Sequence, residues 1–375
     1  MKPEHMRQGK EQVKRMKSKS MIIAAVVMIP IVIIVSVLSV GYSRERGGKI
    51  HFVFGGKAQL RNTIEIPLSD IDSLQVSYTS DNLEIYPTEG DKVIIKEYLI
   101  SDEKDALADV EITDRTAVIT GGKAVTITIF GFFTGLERIE LYIPREGIAG
   151  LNLQTTSGNI MAKDNFSLDA QKLEIMANSG NIKWFDSKAE EIKIQAGSGN
   201  IGLEGISGNA SIQAGSGNVK VMEGAGSFKI KTGSGNISIE QLTGQSTAEA
   251  GSGNITAEQL SGIIAMETGS GGITIRELSG EGSVKAGSGN VKVEASQVTG
   301  DIKAKTGSGG IRLNLPEELS FQMEIQTGSG NINTSFDDSL SYNKKGNQAS
   351  GTIGGNPSCL ISVEANSGNV HITAE

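Results

Sequence analysis

Glycines recur at an interval of nine residues through the middle of this chain. The uninterrupted series is Gly199, Gly208, Gly217, Gly226, Gly235, Gly244, Gly253, Gly262, Gly271, Gly280 and Gly289. Every second member lies inside a GSG triplet followed by Asn or Gly, so the full repeat is 18 residues long. Self-similarity at a short fixed period is typical of a solenoid, in which each repeat forms one coil on its neighbours. The sequence therefore predicts a stack of coils.

The residues between the glycines show which element forms each coil. After the GSG triplets, apolar residues such as Val219, Val221, Ile237 and Ile239 alternate with polar ones such as Lys220. A period of two indicates a half-buried strand. Further inward positions are predicted at Ala210, Ile212, Ala214, Phe228, Ile230, Thr232, Ile264, Met266 and Thr268, and beside the turn at Ile206, Leu242, Leu260 and Leu278. Each coil thus contains two short strands and two tight corners.

The residue after each GSG triplet suggests how one corner is built. It is Asn or Gly throughout: Asn200, Asn218, Asn236, Asn254, Gly272, Asn290, Gly310 and Asn331. Gly adopts positive φ freely and Asn tolerates it better than most residues, so we expect a left-handed backbone at this corner. Stacked coils would place the Asn side chains in a ladder about 4.8 Å apart, in which each can bond its neighbour. We interpret the motif as structural and not as a ligand site.

The first 49 residues differ from the rest. Residues 1–20 form a basic tail with a net charge of +5, and residues 21–40 carry no charge at all. An apolar stretch of about 20 residues is long enough to span a bilayer as a helix. We predict a transmembrane helix over residues 21–41 and a linker over residues 42–49. A cleaved signal peptide is the alternative, but its apolar core is usually about 7–15 residues long.

The charge distribution predicts the orientation of this span. Basic residues before a first span favour a cytoplasmic N-terminus, which places the solenoid outside the cell membrane as the large domain of a single-pass protein. The whole chain has a net charge of −8, and removing the +5 of the tail leaves −13 for the remainder. We therefore expect no nucleic-acid partner. Gly-rich loops that bind nucleotides normally lead into helices, whereas these lead into strands, so we expect no nucleotide partner either.

Catalytic, cofactor-binding and metal-binding residues are not predicted. Cys359 is the single cysteine, and the three histidines are spread over the chain. The corners carry neutral Asn where calcium-binding β-rolls carry Asp, so no structural calcium is expected. A polysaccharide-acting enzyme remains the least favoured alternative, because Glu204, Glu240, Glu258 and Glu294 share one outward row. Trp184 and Phe185 form the most prominent aromatic pair, for which we favour packing at a strand end over sugar binding.

The regular spacing weakens toward both ends of the solenoid. We assign residues 50–150 to an N-terminal cap with wider opening coils and residues 151–335 to the regular GSGN-repeat solenoid. Residues 336–375 are assigned to an exposed loop followed by a C-terminal capping coil. Caps are expected because an open sheet edge would pair with other chains.

The chain resembles a known bacterial family. The resemblance is carried by the entry pattern IDSLQVSYTSDNLEIYPTEGDKVIIKEY, the GSGNI repeats, the closing IGGNPSCLISVEANSGNVHI and the single N-terminal membrane anchor. These motifs are similar to the cell-surface β-solenoid family known as "putative adhesin", over about residues 50–375. The resemblance implies an all-β, single-stranded, parallel and right-handed β-solenoid, sometimes found beside envelope-stress signalling systems. It implies no functional residues.

Two functions are consistent with these features. The first is a non-enzymatic surface scaffold or adhesin-like module that contacts the cell wall or an envelope protein through its polar faces. The second is an accessory of envelope-stress sensing, in which the membrane helix couples the solenoid to a partner. A tail of 20 residues is too short to form a catalytic domain.

Overall fold

The computed structural model describes residues 50–53, 57–123, 125–128 and 137–374. These residues form strands and three 3-10 turns, at Leu68–Asp70, Lys104–Ala106 and Asp337–Ser339. None of the helical segments in these ranges is long and apolar enough to cross a membrane. The predicted basic tail, transmembrane helix and linker lie outside the described residues.

Twenty-six strands are present in the described ranges. In chain order they are β1 (Ile50–Val53), β2 (Gln59–Pro67), β3 (Ser73–Tyr78), β4 (Asn82–Thr88), β5 (Lys92–Leu99), β6 (Asp109–Thr113), β7 (Thr116–Thr120), β8 (Val125–Thr128), β9 (Arg138–Pro144), β10 (Gly150–Thr155), β11 (Ile160–Ala162), β12 (Leu168–Ala177), β13 (Ile182–Ala196), β14 (Ile201–Ala214), β15 (Val219–Thr232), β16 (Ile237–Ala250), β17 (Ile255–Thr268), β18 (Ile273–Ala286), β19 (Val291–Ser308), β20 (Ile311–Leu315), β21 (Phe321–Thr327), β22 (Ile332–Thr334), β23 (Leu340–Tyr342), β24 (Gln348–Ile353), β25 (Leu360–Ser367) and β26 (Val370–Ala374).

The chain divides into two compact units. The smaller comprises residues 1–58, 100–108 and 122–136, and its described part contains β1 and β8, which pair in parallel, and the 3-10 turn Lys104–Ala106. The larger unit comprises residues 59–99, 109–121 and 137–375. It contains one 24-stranded sheet wound into a parallel β-solenoid, which confirms the predicted all-β fold.

The regular part of the solenoid repeats in register. Strands β14 to β18 are each 14 residues long, and their parallel pairing places residues 18 apart opposite each other. Ile237 therefore lies between Val219 and Ile255, and the same offset holds along each strand. All the predicted inward residues are buried, including Phe228 at 1% exposure. The alternation of the sequence is thus the alternation between the interior and the surface.

Each long strand turns one corner without ending. The register of β15 with β16 and of β16 with β17 omits one residue at this corner, which is Glu223, Gln241 or Gln259. These residues have φ of 51°, 57° and 56°, in the left-handed region. Three residues further on, Gly226, Gly244 and Gly262 have φ between 119° and 127°. The predicted need for positive φ is therefore confirmed at this corner of the coil.

The C-terminal coil lies inside the stack. Strand β25 pairs in parallel with both β19 and β21, and β26 pairs in parallel with both β20 and β22. The coil formed by β25 and β26 is therefore inserted between two coils that precede it in sequence. The prediction that it caps the end is wrong, because nothing in a local repeat pattern encodes the order in which coils are stacked.

The segment predicted as an exposed loop closes this end of the solenoid. Within it, β23 and β24 form an antiparallel pair, and β24 also pairs antiparallel with β21. An antiparallel strand ends the run of parallel coils and covers an edge that would otherwise template association. The 336–357 segment is therefore the cap, and the final coil is an internal one.

The N-terminal end has the same arrangement. Strands β3 and β4 form a coil that lies between the β7 and β9 coil on one side and the β10 and β11 coil on the other. Antiparallel strands then close the end, with β6 on β7 and β5 on β9. At both ends, therefore, an internal coil joins segments that are distant in sequence.

Removal of residues 336–375 is predicted to open the C-terminal end only. The deletion takes away the coil formed by β25 and β26, so β19 and β20 lose the parallel partner on one side and β21 and β22 lose their only parallel partners. Strands β14 to β18 keep theirs because coils contact nearest neighbours. Limited proteolysis followed by mass spectrometry should detect new cleavage within residues 300–335. Unchanged resistance there would contradict the inserted position of the final coil.

Candidate binding surfaces of the solenoid

Asparagines at the GSGN corner bond the coils to each other. The Oδ1 atom of Asn200 accepts a hydrogen bond from the backbone N–H of Asn218 at 2.9 Å, and Asn218 accepts from Asn236 at 2.8 Å. Equivalent bonds join Asn82 to Asn159, Asn159 to Asn181, Asn181 to Asn200, Asn236 to Asn254, Asn254 to Gly272, Asn290 to Gly310 and Asn369 to Asn331. The series thus runs nearly the full length of the solenoid.

Glycine interrupts the series at two places. Gly272 precedes Asn290 and Gly310 precedes Asn369, and glycine has no side-chain acceptor to offer the next coil. Asn369, which the sequence analysis left out of the ladder, lies between Gly310 and Asn331 because the final coil is inserted there. The ladder is therefore continuous from Asn82 to Gly272 and is broken beyond each glycine.

The predicted left-handed backbone at these corner positions is wrong. Among the described residues, the non-glycine positions with positive φ include Glu223 and Gln241 but none of the corner asparagines. Gly272 and Gly310 likewise do not have positive φ. Asn occurs here because its short amide side chain reaches the N–H of the next coil, a geometry that sequence alone does not distinguish from a left-handed turn.

The glycine before each asparagine is required by close backbone approach. A Cβ atom at Gly217 would lie 1.8 Å from the Gly199 carbonyl oxygen, and one at Gly235 would lie 2.0 Å from that of Gly217. Real Cβ atoms do not make such contacts, so no side chain fits. Thr232 and Thr268 are the last residues of β15 and β17. Their buried hydroxyls donate to the carbonyls of Gly217 and Gly253, which lie just before those strands, at 2.9 and 2.7 Å.

Two of the outward carboxylates in the predicted row form ion pairs. Glu204, Glu240 and Glu258 do lie in one row, and the row continues through Met222 and Arg276. Glu240 pairs with Lys220 at 3.1 Å, and Glu294 pairs with Arg276 at 4.0 Å and with Lys292. These contacts make Glu240 and Glu294 part of a solvated ionic surface.

Three tyrosines form an aromatic cluster at the N-terminal end that the sequence analysis missed. Tyr86 and Tyr142 are opposite each other on β4 and β9, with ring centroids 5.0 Å apart. Lys163 lies over the Tyr86 ring at 4.8 Å, and Arg138 lies over the Tyr98 ring at 3.9 Å. Cation–π contacts and stacked rings orient these side chains on the outer face. We call Tyr86, Tyr98 and Tyr142, together with Lys163, Arg138 and the Lys96 that lies over the Tyr142 ring, the tyrosine cluster.

Two glutamates hold the tyrosine hydroxyls. Glu84 accepts from Tyr86 at 2.7 Å and pairs with Lys163 at 2.9 Å, and Glu140 accepts from Tyr142 at 3.0 Å. Burial alone would raise the pKa of Glu84, but the hydrogen bonds from Lys163 and Tyr86 outweigh it and lower that pKa. Burial, followed by the bond to Glu140, raises the pKa of Tyr142 to about 12. The cluster therefore presents neutral phenols among charged groups.

The aromatic pair singled out in the sequence is not exposed. Trp184 is fully buried, donates from Nε1 to the Ser187 hydroxyl at 2.8 Å and packs edge-on against Phe166 at 5.0 Å. Phe185 is also buried, at 7% exposure. Both residues therefore pack in the interior, although they lie within β13 and not at its end.

A carboxyl cluster lies at the N-terminal corner. Glu97 is fully buried and accepts from Tyr78 at 3.0 Å and from Asn62 at 2.7 Å. Half-buried Asp81 lies close enough to Glu137 and Glu97 that burial, followed by repulsion from these two carboxylates, raises the pKa of Asp81 to about 7. Asp81 is therefore partly protonated near neutral pH.

Metal and thiol chemistry find little support on the described surface. No group of three or more His, Cys, Asp or Glu side chains in the described ranges is arranged to hold a metal ion. Cys359 is buried, and this burial raises the pKa of its thiol. Asp301, on β19, accepts from the Leu360 N–H at 2.8 Å and so attaches the inserted coil.

Alanine substitutions at Gly235 and Gly272 are predicted to differ sharply. A Cβ at Gly235 would meet the Gly217 carbonyl at 2.0 Å, whereas the nearest atom at Gly272 is 3.3 Å away. We expect Gly235→Ala to lower the free energy of unfolding by more than about 3 kcal/mol and Gly272→Ala to change it by less than about 1 kcal/mol. Urea titration followed by circular dichroism measures both. Equal losses would contradict the close-approach explanation.

Replacement of Asp81 is predicted to stabilise the solenoid at alkaline pH. The folded pKa of about 7 lies above the ordinary value of 3.8. The folded state therefore binds a proton that the unfolded chain releases, and stability falls as pH rises from about 4 to about 7. Asp81→Asn should be roughly 1 kcal/mol more stable than the wild type at pH 8 and close to it at pH 4.5.

Unfolding free energies at the two pH values measure this difference. Asp164→Asn is the control, because Asp164 lies in a surface pair with Lys183 and its side chain is 86% exposed. A stabilisation by Asp81→Asn that is the same at both pH values would contradict the repulsion within the carboxyl cluster.

Comparisons with known proteins show the family to which the chain belongs. The model of the Toastrack DUF4097 family matches residues 71–262 and 259–373. Among solved structures, a "putative cell adhesion protein" from Clostridium sporogenes is similar at 12% identity, over 85% of this chain and 100% of that chain, with a TM-score of 0.22. No curated protein matches the chain. Since the family model covers more than half of the sequence, the chain belongs to the Toastrack DUF4097 family.

Proposed function

We propose that this protein is a non-enzymatic scaffold or adhesin-like binding module of the cell surface. The proposal rests on one observation: residue types are constant at inward positions of successive coils and variable at outward positions. Inward positions repeat the same residue type in successive coils, as in Val219, Ile237, Ile255 and Ile273. The outward neighbours change from Lys220 to Ser238, Thr256, Thr274 and Lys292. The interior is thus uniform, and the displayed surface varies.

The tyrosine cluster is the surface best suited to a partner. Aromatic rings combined with charged groups are typical of binding surfaces, because they offer apolar area and hydrogen bonds with little loss of side-chain entropy. Tyr86, Tyr98 and Tyr142 are all half-buried and are held by Lys163, Arg138 and the neighbouring glutamates. This fixed arrangement supports contact with a polar partner such as the cell wall or an envelope protein.

Membrane attachment is part of the proposal and is supported by the sequence. The uncharged residues 21–40 follow a tail of +5, which is the pattern of a single-pass anchor with its N-terminus in the cytoplasm. The acidic remainder would then lie on the outer side of the cell membrane. A fixed anchor would hold the solenoid at the surface where a scaffold or adhesin works.

Binding to isolated cell-wall sacculi tests the scaffold function. The full-length chain in non-ionic detergent should pellet with sacculi in a saturable manner at physiological salt, since the outward ion pairs leave little net attraction for salt to screen. A Tyr86→Ala, Tyr142→Ala variant should bind about tenfold more weakly or worse. Gln241→Ala, which changes an exposed residue of the central coils, is the control. Pelleting that is absent, or equal for all three proteins, would contradict wall binding through the tyrosine cluster.

Exchange of the anchor separates a scaffold from a helix-coupled sensor. If residues 21–41 only attach the solenoid, an unrelated transmembrane helix in their place should preserve sacculus binding and any adhesion of intact cells. An envelope-stress accessory that signals through its helix should instead lose its response in a reporter assay while still reaching the surface. Retained binding with a lost stress response would therefore favour the sensing alternative.

A further inference from the structure

We propose that the interruption of the asparagine ladder at Gly310 is a binding site for a phosphate group. The site is independent of the scaffold function proposed above. Its parts are the unused N–H of Asn369 and the basic side chains of Lys292, Arg312 and His371, which border a surface cavity of about 420 Å³.

The missing side chain at Gly310 leaves a donor free. Wherever an Asn precedes the next corner, its Oδ1 accepts from the corner N–H, as in three joints at 2.8 to 3.0 Å. Gly310 precedes Asn369 in the stack and has no such atom, and within the described residues no acceptor is within hydrogen-bond distance of the Asn369 N–H. An N–H that points into a cavity is a donor available to an anion.

Steric constraints do not explain the glycine. A Cβ at Gly310 would lie 3.3 Å from the Asn369 carbonyl oxygen and 3.7 Å from Asn290 Oδ1, and φ is not positive there. By comparison, a Cβ at Gly309 would lie 2.3 Å from the Gly289 carbonyl oxygen. Asn would therefore fit at position 310 as it does at most other corners. The gap is a feature of this corner and not a requirement of stacking.

Basic side chains line the same gap. Lys292, Arg312 and His371 occupy equivalent outward positions on three successive coils, because Lys292 is opposite Arg312 and Arg312 is opposite His371. Neighbouring coils are about 4.8 Å apart, so these basic groups repel one another when charged. Other lysines form ion pairs with acids on the next coil, as Lys220 does with Glu240 and Lys231 with Glu249.

The pairing of these groups leaves Arg312 available. Lys292 pairs with Glu294 on its own strand. The side chain of Arg312 is exposed, and its guanidinium has neither an ion pair nor a hydrogen bond with the described residues. An exposed guanidinium next to two other basic side chains is a local positive patch that attracts an anion, although the whole chain has a net charge of −8.

The donor set fits a phosphate group. The Arg312 guanidinium can donate two parallel hydrogen bonds to neighbouring oxygens, while Lys292 acts as a point charge and the Asn369 N–H provides a fixed backbone donor. Together these groups offer more donors than the two oxygens of a carboxylate use. Free phosphate, with four oxygens, uses them best, and the phosphodiester of a headgroup or polymer offers two charged oxygens in the same tetrahedral arrangement.

Titration calorimetry of the full-length chain in non-ionic detergent tests the site. Inorganic phosphate should bind saturably to the wild type. Gly310→Asn fills the gap and caps the Asn369 N–H, and Arg312→Gln removes the unpaired cation. Each should weaken phosphate binding by about tenfold or more. Two variants are matched controls and should stay within about twofold of the wild type.

The first control, Gly355→Asn, introduces the same side chain at a glycine outside the cavity, where an added Cβ would meet no atom within 4 Å. The second, Lys303→Gln, removes one positive charge on a different outward row, where Lys303 faces Ser283 and Ser362. Thermal unfolding of all variants shows whether each is folded. Absent saturable binding, retained binding by folded Gly310→Asn, or equal weakening by Arg312→Gln and Lys303→Gln would overturn the proposal.

A second ligand distinguishes the sources of phosphate. Glycerophosphoglycerol, the soluble headgroup of phosphatidylglycerol, carries the same phosphodiester without a membrane. Binding of both ligands, with loss of both in Arg312→Gln, would support a headgroup or polymer phosphodiester as the ligand. Binding of inorganic phosphate alone would support free phosphate. Binding of neither would overturn the site.

Discussion

The close approach of successive backbones at the GSG corner is the constraint on which the solenoid depends. At Gly217 and Gly235 a single added carbon would overlap the carbonyl of the preceding coil, so the corner accepts only glycine. With the backbones this close, each Asn Oδ1 atom reaches the backbone N–H of the next corner. A buried Thr hydroxyl likewise reaches the backbone carbonyl of the corner before it. The corners therefore fix the register between coils. This register stacks each inward side chain on the side chain 18 residues away in the neighbouring coil.

The opposite corner works differently. There the strand continues through a residue in the left-handed region, such as Gln241 or Gln259, whose side chain projects outward. A non-glycine residue in this conformation costs about 1–2 kcal/mol, which the continuous parallel pairing on both sides offsets. The GSG corner thus leaves no room for a side chain at its glycine, whereas the opposite corner presents a side chain to solvent. Residue types therefore vary between coils mainly at outward positions and at the two ends of the solenoid.

The sequence predicted the features that recur in every coil, but it did not predict the features that depend on pairing between segments distant in sequence. Period and alternation were sufficient for the coil length, the buried residues and the shared row of Glu204, Glu240 and Glu258, because each depends on neighbouring coils alone. The order of coils at the ends could not be predicted, since β25 and β26 pair with strands up to 59 residues away. The tyrosine cluster was missed for the same reason: it joins β4, β5 and β9. The corner asparagines were misassigned because capping and left-handed turns favour the same residue.

The central claim is that asparagine side chains, coil by coil, hold the backbone of the next corner. Residue-resolved hydrogen exchange measures this most directly. The N–H groups of Asn218, Asn236 and Asn254 should exchange slowly although these residues are exposed, and those of Asn290 and Asn369 should exchange quickly because glycine precedes each in the stack. Similar exchange rates in the two groups would contradict the account.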